Sequence, residues 1–403
     1  MNFKKIDVFV SGGGIAGMVS ALAFERAGFS VICADPIPPA TARHDHGADL
    51  RTTAFLQPSQ TFLKSIGIWD HLAEHATPLE VMRIIDAGGA DEPPAIRVTK
   101  EFKAGDISSQ PFGWNVPNWL SRRELLKSLD NAQGATFLTG VRTVKIFTRE
   151  NEARVTLSDG QKIHAKLVIA ADGRSSFVRE NAGISVRTKR FGQKALAFAV
   201  THTIPHRNVS TEIHRRGGPF TLVPLPDQEG TASSAIVWME TSKQAARLMG
   251  MDIDSFTSEM NIRSCGILGP LTLATKRTEW TIISQLADRL SAQRIALVAE
   301  AAHTIPPIGA QGLNMSLEDI QTLISIATKA DDIGSKLVLD AYHKARINDV
   351  NIRVGGITLL NHASSAQSQI IRDMRARGLE TLHGITPVRK TLMKMGLGIK
   401  SQG

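Results

Sequence analysis

The chain has 403 residues, is 42% apolar, carries a formal charge of +9 and contains two cysteines, Cys33 and Cys265. That length and composition suit a globular protein of about two or three domains, while two distant cysteines exclude a disulfide framework or a zinc site and point to a reducing compartment. Nothing approaches the roughly 18 consecutive apolar residues of a membrane span, and Met1 to Lys5 leave no room for the regions of a signal peptide. From Ala341 onward, ten Lys or Arg face Asp349, Asp373 and Glu380, so this tail holds +7 of the charge and the remainder is nearly neutral. With no nucleic-acid-binding motif present, a nucleic-acid partner is not expected.

In chain order, the apolar run at 7–11 predicts a strand that feeds straight into Gly12-Gly13-Gly14-Ile15-Ala16-Gly17. Gly12 suits a tight turn, Gly14 a close approach of bare backbone to a pyrophosphate, and Gly17 a helix closed onto the strand. That helix offers unpaired N–H groups and its positive dipole end to the anion. A second strand at 30–34 ends at Asp35, where a carboxylate is expected to meet adenosine ribose hydroxyls. Residues 55–66 and 69–75 read as helices broken at Gly67, 81–86 as a strand and 125–131 as a helix. Short strands follow at 143–147, 153–157 and 162–164, with a hairpin signal at Ser158-Asp159-Gly160. The apolar run 167–170 suits a strand covered on both faces. Between Ala195 and Met239, strands broken by Gly and Pro predict an antiparallel sheet. The α/β texture returns at 294–298, with a helix from about Asn314. Everything after Asp340 reads as helix, with breaks near Gly355-Gly356 and at 384–387.

Two further segments follow strands in the same way: Ala171-Asp172-Gly173-Arg174-Ser175-Ser176-Phe177-Val178-Arg179, and the run from Ala299-Glu300-Ala301-Ala302-His303 through Pro306-Pro307-Ile308-Gly309-Ala310-Gln311-Gly312-Leu313-Asn314. With the opening turn, these resemble the group A flavoprotein monooxygenases, the para-hydroxybenzoate hydroxylase-like FAD enzymes, over nearly the whole chain. Within that superfamily the chain is similar to the UbiH/UbiF/UbiI ring hydroxylases of ubiquinone biosynthesis. This likeness rests on Asp49-Leu50-Arg51-Thr52-Thr53-Ala54 running into Leu63-Lys64-Ser65-Ile66-Gly67-Ile68-Trp69, on the loop from Pro306 to Asn314, and on Tyr342-His343-Lys344-Ala345-Arg346.

The resemblance implies an α/β fold: a Rossmann-like FAD-binding domain of the glutathione-reductase type, an inserted, mostly antiparallel β-sheet substrate domain, and a C-terminal helical segment. The expected parts are 1–75, 120–180 and 285–340 for the discontinuous FAD domain, 76–119 and 181–284 for the substrate domain, and 341–403 for the helical region. FAD is expected on Gly12, Gly14, Ile15, Ala16, Gly17 and Asp35, on Arg51 as a planar fork for phosphate oxygens, on Arg122 at a helix start, and on Asp172, Gly173 and Glu300. Gly309, Gln311, Gly312, Leu313 and Asn314 complete that set. Pro307, Gly312, Leu313 and Asn314 are expected near the isoalloxazine, where the N–H groups of 312–314 stabilise negative charge on the reduced ring. The family's usual Gly-Asp pair reads Ala299-Glu300 here. Glu300 still accepts from a ribityl hydroxyl with a small adjustment, and Ala299 adds a Cβ. Asp172 equally suits a helix cap. His303 reads as a structural hydrogen-bonder, no catalytic base is named, and no metal site is expected, His44, Asp45 and His46 being read as a polar loop.

As the resemblance implies, NAD(P)H reduces FAD, O2 adds to give a flavin C4a-hydroperoxide, and oxygen passes to a phenol ring in a pocket that excludes water. A single dinucleotide fingerprint makes NAD(P)H a transient co-substrate. The expected substrate is a polyprenylphenol of ubiquinone biosynthesis, with Phe220, Leu222, Val223, Pro224 and Trp238 lining its pocket. A hydroxylase of a soluble aromatic or secondary metabolite, and a non-catalytic flavoprotein accessory to quinone biosynthesis, stay open as alternatives. In the tail, Ile370, Ile371, Met374, Leu379, Leu382, Ile385, Val388, Leu392 and Met395 alternate with cations. Such a helix packs on the core or docks on the inner membrane or a quinone-biosynthesis complex. The expected location is the cytoplasm, with peripheral membrane contact as the variant.

Overall fold

The computed structural model describes residues 3–88, 94–215, 217–365, 378 and 381–398. Its first sheet has the path β18 (Ser291–Ala292), β19 (Ile295–Leu297), β11 (Lys162–Ala170), β1 (Lys4–Ser11), β2 (Val31–Asp35), β8 (Ala135–Thr139). From β19 to β8 the neighbours run parallel, β18 is antiparallel, and β9 (Thr143–Thr148) and β10 (Ala153–Leu157) form a meander onto β11. Val8, Phe9, Val10, Leu167, Val168 and Ile169 are all buried, as strands covered on both faces require. The cover includes α1 (Ile15–Arg26), which packs against α4 (Asn118–Asp130) and α8 (Gln311–Ala327). The register sets Ser11 opposite both Ala34 and Ala170, and Ala170 opposite Leu297, so four strand ends finish side by side.

The second sheet follows β20 (His303–Thr304), β17 (Thr278–Ala287), β12 (Val186–His202), β15 (Thr231–Thr241), β14 (Pro219–Gln228), β13 (Val209–His214), β5 (Val81–Asp86), β6 (Val98–Lys103), with β16 (Leu271–Leu273) also on β12. All its pairs are antiparallel except β13 with β5. One face, with Leu196, Phe198, Val200, Phe220, Leu222, Ile236 and Trp238, packs on α6 (Ser242–Gly250) and α7 (Ile253–Arg263). A small third sheet, β3 (Thr52–Leu56), β7 (Gly113–Pro117) and β4 (Thr77–Leu79), stands at the junction of the two large ones.

Several boundaries differ from the sequence expectations. Phe55 and Leu56 belong to β3, and α2 (Gln57–Ser65) starts at a proline in its first turn; α3 (Trp69–Ala73) follows. The helix expected at 125–131 begins at Asn118, and the strands expected at 162–164 and 167–170 are one strand. α5 (Phe177–Asn181) is a short helix after β11. α9 (Lys336–Ser364) runs through Gly355-Gly356 without a break, because Val350, Val354, Ile357 and Asn361 keep one continuous buried face. The break expected at 384–387 is present: Ile385 is extended, and α10 (Thr386–Leu397) starts after it. Ile370, Ile371, Met374 and Leu379 fall outside the described residues.

Candidate functional site

The first parallel strand turns into its helix through a cradle that only glycine permits. Gly12 has φ +107, and a Cβ there would lie 2.3 Å from the Ala171 carbonyl oxygen; a Cβ on Gly17 would lie 1.8 Å from the Gly12 carbonyl oxygen. Gly14 has nothing within 4 Å of its Cβ position, so the cradle is open on the outer side. Gly14 also caps α1, with no side-chain capping bond and no acid in the first turn. The leading N–H groups of Ile15, Ala16 and Gly17 are therefore left for an external acceptor. Asp35 ends β2 and braces the turn, accepting the Gly13 N–H at 2.6 Å and the Ile37 N–H at 2.8 Å. Each of its oxygens retains a second acceptor direction.

The other two motifs arrive at the same sheet edge. Ala171 N donates to Ser11 O and Val298 N to Ala170 O, which continues the parallel ladder beyond β11 and β19. Asp172 accepts from the Ser176 hydroxyl and the Val178 N–H, so it ties the start of α5. Burial raises its pKa against those two bonds. Gly173 follows with φ +83. Arg179, the last residue of that motif, is buried and donates to both Ala301 O and Arg174 O, joining the second motif to the third. Glu300 is exposed on the short turn Ala299–Ala301, and Ala299 holds φ +56, where the family's glycine would sit without strain.

Behind that turn lies a buried charge network. Asp319, with no exposed surface, accepts from His303 Nε2 at 2.6 Å and Arg346 Nε at 2.9 Å, and the Ala299 N–H points at it from 3.3 Å. Burial alone would raise the Asp319 pKa; His303 and Arg346 overcome it and hold the carboxylate below its ordinary value. The Tyr342 hydroxyl donates to Leu297 O. His303 is thus a structural hydrogen-bonder, as the sequence suggests, and Tyr342 and Arg346 brace the turn from behind.

Arg51 and Arg122 differ in their engagement. Arg51 Nε and Nη2 grip the Asp49 carboxylate at 2.8 and 2.7 Å, and the guanidinium lies 5.4 Å from the Trp280 ring centre. Burial opposes its charge, but the hydrogen bonds and charge of Asp49, with Glu300 adding, raise its pKa above the ordinary value. Arg122, in the second turn of α4, keeps a buried Nε without a partner among the described residues. At the third motif, Pro307 is exposed, Gly309 and Ala310 both have left-handed φ, and α8 begins with no side-chain cap and no first-turn acid. Gly312 has open space at its Cβ position and Leu313 is half-buried. The side chains of Asn314 and Gln311 are structural: Asn314 accepts from Leu56 N and donates to Ala54 O and Ala310 O, while Gln311 donates to Gly309 O and Gly396 O.

The expected pocket wall needs correction. Phe220, Leu222 and Trp238 lie on the face of the second sheet that packs against α6 and α7, because alternation along β14 and β15 sends them away from the parallel sheet. Pro224 presents its carbonyl to Asn115 Nδ2 at 2.9 Å. Val223 lies on the opposite face with Ala199, Leu225 and Ala235; further along that face stand Ala195, Val237, Met239, Trp280 and Ile282. Ile308, just before α8, packs on this second group, Arg51 stacks on Trp280, and Arg43 donates to Ala274 O. The face on which Ile308 of the third motif packs is therefore rich in alanine, a distinction that hydrophobic pattern alone cannot make.

The open glycine cradle, the uncapped α1 and α8 and the orphaned Arg122 Nε together fit an elongated anionic cofactor of the FAD type. A profile of the family described as FAD binding domain matches residues 5–351. The chain is 30% identical to the ubiquinone hydroxylase UbiL of Rhodospirillum rubrum, over 99% of this chain and 91% of that protein. It is 25% identical to the 3-demethoxyubiquinol 3-hydroxylase of Escherichia coli, over 99% and 100% of the respective chains. Among solved structures, p-nitrophenol 4-monooxygenase PnpA from Pseudomonas putida shares the fold, with a TM-score of 0.79, 16% identity, and 98% and 99% of the two chains covered.

Proposed function

This chain belongs to the FAD binding domain family, and from that membership we propose that it is an FAD-dependent monooxygenase that hydroxylates the phenolic ring of a polyprenylated ubiquinone precursor, using NAD(P)H and O2. One observation carries the reading: the glycine cradle and the uncapped starts of α1 and α8 offer free N–H groups to an anionic cofactor, and Ile308 before α8 packs on the alanine-rich sheet face. Gly12, Gly14 and Gly17, with the N–H groups of Ile15 and Ala16, hold the pyrophosphate, and Arg122 adds a cation. Asp35 takes ribose hydroxyls with its remaining acceptor capacity, and Glu300 takes a ribityl hydroxyl. Asp172 and Gly173 border the pyrophosphate side, while Pro307, Gly309 and Gln311 shape the loop. The N–H groups of Gly312, Leu313 and Asn314 favour negative charge at the ring end. When bound, FAD accepts hydride from NAD(P)H and activates O2, while the protein orients the ring and keeps water out.

Ala195, Ala197, Ala199 and Ala235 give the second sheet a small-residue face, to which we assign the flat ring and its apolar substituents. Val223, Val237 and Trp280 give that face apolar walls. We take the surface of α10 as the peripheral contact to a bilayer or quinone-biosynthesis complex. Lys390 and Lys394 are exposed there beside exposed Leu382, Ile385, Leu392 and Met395. None of the described helices is long and apolar enough to cross a membrane.

The test uses purified protein loaded with FAD. NAD(P)H-driven oxygen uptake should rise when a polyprenylphenol is added, and the product should carry one added oxygen on the ring. Uptake indifferent to every phenol would overturn the hydroxylase reading and leave a flavoprotein of another role. In a strain lacking the gene, the accumulated quinone precursor identifies the ring position.

A further inference from the structure

Two buried polar atoms of the small third sheet have no hydrogen-bond partner among the described residues: Asn115 Oδ1 and Thr77 Oγ1. Asn115 is 1% exposed and Thr77 6%. Folded proteins leave few such groups unpaired, so a pair of them asks for an explanation. They are cross-strand neighbours, since β4 and β7 pair with Thr77 opposite Asn115, which puts both side chains on one face of the small third sheet. The alternate residues of β7, Trp114 and Val116, go to the other face, against Phe55 and Trp69.

The face with Thr77 and Asn115 is bounded on two sides. Ala54, opposite Asn115 on β3, has its carbonyl held by Asn314 at the start of α8, and Leu56 N is held by the same side chain. Across the gap, Asn115 Nδ2 donates to Pro224 O of β14, the strand whose next residues inward, Val223 and Leu225, belong to the alanine-rich face. The orphaned atoms thus lie between the helix start assigned to the ring end of the cofactor and the sheet assigned to the substrate.

We propose that Thr77 and Asn115 form a two-point anchor for a ring hydroxyl of the substrate. The phenol O–H donates to Asn115 Oδ1, and the Thr77 hydroxyl donates to the phenol oxygen. An acceptor beside a donor matches a hydroxyl, which needs one of each, and mismatches an ether, which has no proton to give. Two contacts also fix rotation of the ring in its plane and hence select the carbon presented for reaction. The inference rests on the phenolic reading above and names the atoms that recognise the phenol.

The experiment titrates FAD-loaded wild type, Thr77→Val and Asn115→Leu with a geranylated phenol and with its methyl ether, following the flavin absorbance. Thermal unfolding of each protein without either ligand runs alongside. Wild type should prefer the phenol. Asn115→Leu should lose about 5- to 100-fold of phenol affinity while binding the ether as before, and Thr77→Val, whose lost O–H also serves an ether oxygen, should weaken both ligands. Thr77→Val should unfold at the same temperature or higher, because it replaces an unpaired buried hydroxyl with a methyl of similar shape. A Thr77→Val protein that binds phenol and ether as wild type does overturns the anchor, as does equal phenol binding by all three proteins or a shared loss of phenol and ether in Asn115→Leu. If wild type binds FAD but neither ligand, the phenolic reading itself falls, a result distinct from the variant outcomes.

Discussion

Ala299 adopts φ +56 at the turn that carries Glu300, a conformation that costs an L-residue about 1 kcal/mol. Ala299→Gly should therefore raise the unfolding free energy by about 1 kcal/mol, less the extra entropy of the unfolded chain, as read from denaturant midpoints. Asp319 gives a larger effect. Its folded pKa is depressed, so its contribution is complete above the ordinary carboxylate range near about 4 and is lost as pH falls through the depressed value. Asp319→Asn should cost about 3 kcal/mol at neutral pH by removing the buried charge that His303 and Arg346 face, with Arg346 keeping Glu318 and Asp349, and the loss relative to wild type should shrink on acidification. Denaturation curves at neutral pH and below pH 4 check both statements. The glycines at 12 and 17 were legible in the sequence because their spacing encodes a backbone demand. Asp319 was not, since an acid beside Glu318 in a helix gives no sign that a histidine and an arginine from two other elements will meet it.

Among the elements, α8 is fastened at its start by a single side chain. Asn314 makes three bonds that fasten its first turn to β3 and to Ala310. Asn314→Leu leaves Leu56 N and two carbonyls without those partners and should cost at least about 2 kcal/mol, with weaker FAD retention on gel filtration. The sequence identified the loop before α8 and the strand before the loop, but it started the helix three residues late, because Gly312 is a poor helix former and Ala310 gives no capping signal. Gly355-Gly356 misled in the opposite direction. Both sit on the exposed side of α9, where their helix cost is about 1 kcal/mol each and the buried stripe on the other side outweighs it. The aromatic residues of β14 and β15 were visible as sheet residues, yet which face looks at the first sheet depends on where α6 and α7 pack, a long-range fact with no local signature.

For the whole molecule, three segments separated by more than a hundred residues meet because parallel strands β19, β11 and β1 end in register. That convergence was readable from three strand-then-loop motifs; the position of the tail was not. α10 buries Met393 and Leu397, receives a hydrogen bond from Gln311 at Gly396 O, and pairs Arg389 with Asp106, so it spans from α8 to the turn after β6. Deleting residues 384–403 should lower the unfolding temperature by several degrees and reduce co-sedimentation with anionic vesicles, the latter difference vanishing at high salt. Unchanged vesicle binding would remove α10 from the lipid contact.

Gln311 is also the first residue of the helix we assign to the ring end of the cofactor, and its amide holds Gly396 O of the tail. Any surface that prefers α10 in one position therefore shares a free energy with flavin binding, and linkage makes the effect reciprocal: the factor by which capture of the tail alters flavin affinity equals the factor by which flavin alters capture. Apoprotein and holoprotein should then divide unequally between a bilayer and the surrounding water.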